Sequence, residues 1–186
     1  MWSFNGGTTI STSIKKFGNG SLYVPNGGSA SVTIDPPWSI GTGNYKVEFW
    51  YNISSVASAG DHNDVSFQIG SLQCGLHSNG KFYFDDVSGS TTNWGFYTPS
   101  TVPYNGTWNH FAAVRNGSYV YLYINGSNVT SLSSSAVIRN TGSAYSVVIG
   151  LRDGTSNHDP FYIDDLRVSG SAVYTSNFSV PSGELT

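Results

Sequence analysis

The chain has 186 residues, with eight Lys and Arg against eleven Asp and Glu and a formal net charge of -3. Charged residues are only 10% of the chain and the few basic ones are scattered, which excludes the basic stripe that tracks nucleic-acid phosphates. At 38% hydrophobic and 15% aromatic, with 22 glycines, the composition predicts one all-β domain over residues 1–186 with a core of ordinary size.

The N-terminal "MWSFNGGTTIS" has neither the basic nor the apolar region of a signal peptide, and no run approaches the about 18 apolar residues of a membrane span. The reading is a chain that meets no membrane and reaches an extracellular setting only as part of something larger. "SLYVP" (21–25) and "SASVTID" (29–35) flank Asn26-Gly27-Gly28 and read as a hairpin. "NYKVEFWYNIS" (44–54) is a long strand with Val47, Phe49 and Tyr51 on one side. "DVSFQIG" (64–70), "LQCGLHS" (72–78) and "KFYFDDV" (81–87) follow, the last two joined at Asn79-Gly80. Residues 88–107, rich in Gly, Ser, Thr and aromatics, read as a loop.

The most ordered stretch is "WNHFAAVRNGSYVYLYINGS" (108–127). Its two runs alternate with period two about Asn116-Gly117, which predicts an antiparallel pair with a type I′ turn; Asn125-Gly126 closes the second run in the same way. Val120, Leu122 and Ile124 form an aliphatic face that lines a core, while Tyr119, Tyr121 and Tyr123 form a face that either packs under a second layer or meets a partner. "YSVVIGL" (145–151), the polar loop "RDGTSNHDP" (152–160) and "FYIDDLRVSG" (161–170) complete the pattern. Strands at this spacing predict a two-sheet antiparallel jelly-roll sandwich. Its core is expected to hold Trp108, Val120, Leu122, Ile149 and Ile163, with Trp38 and Trp50 also inside. The single Cys74 excludes an internal disulfide and reads as a small buried strand residue; the sequons at Asn52, Asn105 and Asn116 read as turn formers.

In order, "GNGSLYV", "YKVEFWYN", "NGKFYF", "TWNHFAAVRNGSYVYLYINGS" and "VVIGL…FYIDDLRV" resemble the laminin-G-like members of the concanavalin A-like lectin/glucanase superfamily. The likeness covers nearly the whole chain. The C-terminal "DDLRVSGSAVYTSNFSVPSGEL" is similar to the tails of such domains in tailed-phage and marine viral structural proteins, with Val173 where that tail commonly has Arg. The resemblance implies a virion or extracellular setting.

Retaining glucanases of that superfamily need two carboxylates about 5 Å apart, one nucleophile and one acid/base. Only Glu48 and Glu184 are glutamates, and Asp85-Asp86 and Asp164-Asp165 are neighbours that point to opposite faces of a strand, so no catalytic residue is expected. Sugar binding asks less, namely aromatic faces for the C–H faces of pyranose rings and polar groups for hydroxyls. Trp94, Tyr97 and Asn93 in "TTNWGFYTP", with His158, are the ligand-binding candidates for a glycan or cell-surface polysaccharide. The alternative function is a structural or decoration protein whose partners are other virion subunits.

Asp153, Asn157 and Asp159 in one loop, and Asp61, Asn63 and Asp64 in another, offer oxygens of the kind calcium takes; solvated Asx turns are the simpler explanation. His62 and His158 lack the paired spacing of a zinc site. The resemblance adds Asp164 or Asp165 as a calcium ligand at the sandwich edge.

Overall fold

The computed structural model describes residues 1–34, 43–56, 63–88, 91–133, 145–151 and 158–184. In chain order the strands are β1 (Ser3–Asn5), β2 (Thr9–Ser11), β3 (Ser21–Val24), β4 (Ser29–Ile34), β5 (Tyr45–Asn52), β6 (Asn63–Ile69) and β7 (Leu72–His77). They continue as β8 (Phe82–Ser88), β9 (Thr91–Tyr97), β10 (Asn109–Asn116), β11 (Tyr119–Ile124), β12 (Ser127–Ser133), β13 (Tyr145–Ile149) and β14 (Phe161–Ser169). The first sheet runs β1-β4-β13-β6-β7-β8-β9 and the second β12-β11-β10-β5-β14-β3-β2, every pairing antiparallel. This is the two-sheet jelly-roll sandwich that the alternating pattern predicts, and no helix occurs among the described residues.

Alternation puts the apolar row of each strand between the sheets. Val47, Phe49 and Tyr51 of β5 meet Phe111 and Ala113 of β10 and Val120, Leu122 and Ile124 of β11 on one wall. Phe67, Ile69, Leu72, Cys74, Leu76, Phe82 and Phe84 form the other wall. Phe111 joins the walls, stacking on Phe49 of its own sheet at 5.0 Å and on Phe82 of the opposite sheet at 4.6 Å between centroids. Each such side chain contributes about 1.5–3 kcal/mol on burial. Ile149 and Ile163 lie in this core as expected. Burial, and secondarily the Asp85 charge, push the Cys74 thiol well above its ordinary value, so it packs as a small hydrophobe.

Four local expectations change. Residues 21–35 are not a hairpin: β3 belongs to the second sheet and β4 to the first, and the turn between them carries the chain across the sandwich. Gly28 N–H donates to Pro25 C=O at 2.8 Å there, with Gly27 at φ +76°. Residues 88–107 are not one loop, because they contain β9 at the edge of the first sheet. The turn after β10 has Gly117 at φ +60° as its first central residue while Asn116 stays in the ladder opposite Tyr119, the type II′ arrangement. Asn125 and Gly126, at φ +50° and +77°, do form the type I′ pattern. Trp108 precedes β10 and is only half-buried, and Trp50 is buried outside the main core, on the far face of its sheet; Trp38 lies outside the described residues.

Candidate functional site: the outer face of the second sheet

The strand parity that sends Val47, Phe49 and Phe111 inward sends a different set outward. Register pairs His110 with Trp50, Ala112 with Glu48 and with Tyr123, and Val114 with Lys46 and with Tyr121. This outer face is therefore aromatic along β11, small in the middle of β10 and ionic along β5. It is covered by its own chain from two directions.

From the N-terminal side, Lys16 lies 4.1 Å over the Trp50 ring and Phe17 meets that ring edge-on at 5.9 Å. The Asp164 carboxylate fixes this segment by accepting the backbone N–H of Lys16 at 2.7 Å and of Phe17 at 3.1 Å. Asp165 sits on a bulge of β14 at φ +54° and donates its own N–H to Asp164.

From the C-terminal side, residues 172–180 run over β10 and β11. Tyr174 and Phe178 stack on each other at 3.6 Å with their planes 6° apart, and Phe178 packs edge-on against Tyr123 and His110. Ala112 and Val114 leave room for these rings, making a small second core with Tyr123. The backbone is tied as well: Phe178 N–H donates to Gly126 C=O at 2.9 Å and Asn128 N–H to the Asn177 Oδ1 at 2.8 Å. Gly126 must be glycine here, since a Cβ would run into the Phe178 carbonyl.

Beneath this cover lies a buried polar cluster. Glu48, with no exposed surface, pairs with Lys46, accepts a hydrogen bond from the Tyr174 hydroxyl at 2.9 Å and lies 3.4 Å from Nε2 of His110. Burial pushes the Glu48 carboxyl up, but His110, Lys46 and Tyr174 together outweigh it and hold the group below its ordinary value. The Tyr174 phenol is raised by burial and by the carboxylate it serves. Lys46 also lies 4.5 Å over the Tyr174 ring, so the same two side chains hold both the charge and the tail.

Where the tail meets β11 it leaves a groove of about 460 Å³, lined by Tyr121, Tyr123, Asn128, Thr175, Ser176 and Asn177. Tyr119, 48% exposed, extends the aromatic row beyond the groove at 6.1 Å from Tyr121. A second, mostly apolar cleft of about 270 Å³ involves Trp2, Phe4 and Ile10 near the two edge strands β1 and β2. The groove combines aromatic rings with amides and hydroxyls.

The laminin G family model of the concanavalin A-like lectin/glucanases superfamily matches residues 26–176. The chain belongs to that superfamily. No curated protein matches it. Solved structures with a similar fold include the binding domain of Paraclostridial Mosquitocidal Protein 1, at 14% identity and a TM-score of 0.68 over 94% of this chain and 45% of that one. Domain 4 of AbnA, a GH43 extracellular arabinanase from Geobacillus stearothermophilus, in complex with arabinotriose, shares 17% identity with a TM-score of 0.67 over 93% and 84%. A botulinum neurotoxin type C structure, whose cell entry depends on two ganglioside molecules, shares 14% with a TM-score of 0.65 over 94% and 44%. The chain spans under half the length of these toxin structures.

The residues singled out from this superfamily chain's sequence do not converge. Asn93, Trp94 and Tyr97 stand on strand β9 rather than in a loop; Tyr97 is 45% exposed and meets His77 and Tyr83 edge-on, while the side chains of Asn93 and Trp94 lie outside what the structure describes. His158 is not a surface ligand: it is 1% exposed, with Nε2 3.0 Å from the Gly28 carbonyl and Nδ1 3.0 Å from that of Asp159. Asp61, Asp153 and Asn157 lie outside the described residues. Of the two polar stretches, the described ends meet: Asp159 N–H donates to the buried Asp64 carboxylate and Ser55 donates to Asp159. The Asp164 carboxylate accepts three backbone N–H groups, those of Lys16, Phe17 and Asp165. Among the described residues no three His, Cys, Asp or Glu side chains gather as a metal site. The groove residues of the tail were not singled out from sequence; a Tyr and a Phe four apart in a Ser-rich segment, with Glu48 and Lys46 on a strand, were the available signal.

Proposed function

We propose that the protein is a non-catalytic carbohydrate-binding module whose site is the groove between β11 and the C-terminal tail. The observation that carries this is the lining itself: Tyr121 offers an aromatic face and Asn128, Thr175 and Asn177 offer amide and hydroxyl groups, all on or tied to rigid strands. A similar solved structure, in complex with the neutral oligosaccharide arabinotriose, supports the same class of partner. Glu48, sealed under Tyr174 and paired with Lys46, is not placed for hydrolysis, which needs two accessible carboxyl groups. The tail that walls the groove is also the segment similar to viral structural proteins, which supports a virion setting; mass spectrometry of the source particle tests that part.

A glycan array probed with the native chain and with Tyr121→Ala tests the site. Reproducible binding lost in the variant is the expected result. Binding that survives Tyr121→Ala but is lost in Trp94→Ala moves the site to β9, and no binding to any glycan overturns the reading.

A further inference from the structure

We infer that the groove selects uncharged glycan chains and rejects sialylated, sulfated and uronate-bearing ones, an inference that rests on the carbohydrate-binding reading above. Among the described residues its lining holds phenols, amides and hydroxyls and no cationic or carboxylate side chain. An anionic substituent entering it would shed water, and only a charge-assisted partner offsets that loss. Among the described residues, the cations around the tail are kept from the lining: Arg167, half-buried opposite Glu48 and near Tyr174, stands on β14, three strands from β11. Lys46 is 2% exposed, paired with Glu48 and roofed by Tyr174. Arg115 is 6% exposed, with its Nε donating to the Gly117 carbonyl. The net charge of -3 adds a weak repulsion of the same sense.

Neutral sugar units find what they need in the same place. Asn177 spends its Oδ1 on the Asn128 N–H, which leaves its Nδ2 as a donor for a hydroxyl. Tyr119 and Tyr121, neighbours along β11, present two consecutive rings that lead from open surface into the groove. That arrangement serves more than one sugar unit, so the ligand is a chain rather than a single monosaccharide.

The test uses neutral oligosaccharides and their matched sialylated, sulfated or uronate counterparts, titrated against the native chain, Tyr121→Ala, Tyr119→Ala and Thr175→Lys. Far-ultraviolet circular dichroism establishes that each variant is folded. The expected result is neutral binding at least about tenfold tighter than that of the matched anion, loss of binding in Tyr121→Ala, and a greater loss for longer chains than for short ones in Tyr119→Ala. Thr175→Lys places a cation on the exposed tail wall and should shift preference toward the sulfated form by about tenfold. Tyr121-dependent binding in which anions match or exceed neutral chains overturns the selectivity while the carbohydrate reading stands. An unchanged preference in Thr175→Lys removes the missing cation as its cause. Failure of every glycan, neutral and anionic, overturns both.

Discussion

The described residues form two hydrophobic clusters, one on each side of the second sheet, and they are built differently. The cluster between the sheets is almost purely apolar, drawn from both sheets and centred on Phe49, Phe82 and Phe111. The one under the tail is small, mixes Ala112, Val114 and Tyr123 with Tyr174 and Phe178, and sits beside Glu48, Lys46 and His110. The first depends on volume and is indifferent to pH. The second depends on ring geometry and charge, and it sets the wall of the groove. The same strand, β10, contributes to both through its two faces, so stability and recognition can be separated by which face is altered.

Phe111→Ala should show the largest effect, because it removes the ring that bridges the two sheets: about 3–5 kcal/mol by chemical denaturation, with a fall in melting temperature on the order of 10 °C. A loss below 1 kcal/mol would mean that the sheets are held by something other than this stack. Tyr174→Ala should cost less, about 1–2 kcal/mol, yet abolish glycan binding, since it frees the tail without touching the main core. Equal stability losses in the two variants would erase the distinction between the clusters.

Acid sharpens the comparison further. Glu48 is held below its ordinary value of 4.5 in the folded protein, so its contribution is full above that value and is lost as pH falls through the lower folded one. Stability measured from pH 6 downward should decline below about pH 4.5, and the part of the decline due to Glu48 should vanish in Glu48→Gln. Tryptophan fluorescence is a convenient probe, because Trp50 packs against His110 in the same layer. The smallest effect belongs to Cys74: its buried, raised thiol should not react with a thiol reagent in native buffer, and should react fully once denatured. Labelling of the native protein would place a breach in the main core.

Much of the main core is legible in sequence because alternation is a local signal. Val120, Leu122 and Ile124, or Val47, Phe49 and Tyr51, declare a face without knowledge of their partners. What alternation lacks is partner choice. Asn26-Gly27-Gly28 marks a turn correctly, yet only the rest of the fold decides that the chain there changes sheets rather than doubling back. β1 and β2 are three residues each, too short to carry a period, and β9 is written with Asn93 and Gly95, residues that read as loop formers. Trp108 reads as core because it opens an alternating run, but the ladder begins one residue later and its parity is that of outward-facing His110. The tyrosine face of β11 was read as packing under a second layer or meeting a partner, and it does pack under the tail. The groove was not visible, because Asn128 and Asn177 are neighbours only after the tail has crossed the sheet.

One feature of the topology bears on how the chain is made. β13 lies between β4 and β6, and β14 lies between β3 and β5, so in each sheet a late strand joins two early ones. A nascent chain that has emerged only as far as β12 therefore holds four strand edges that are paired in the finished fold and lack their partner, among them those of apolar β5 and β6. Such an intermediate is open to pairing with its neighbours on a polysome. Productive folding has to wait until residue 169 has cleared the ribosome, and slow or stalled synthesis before that point should divert the chain to aggregates in proportion to the delay.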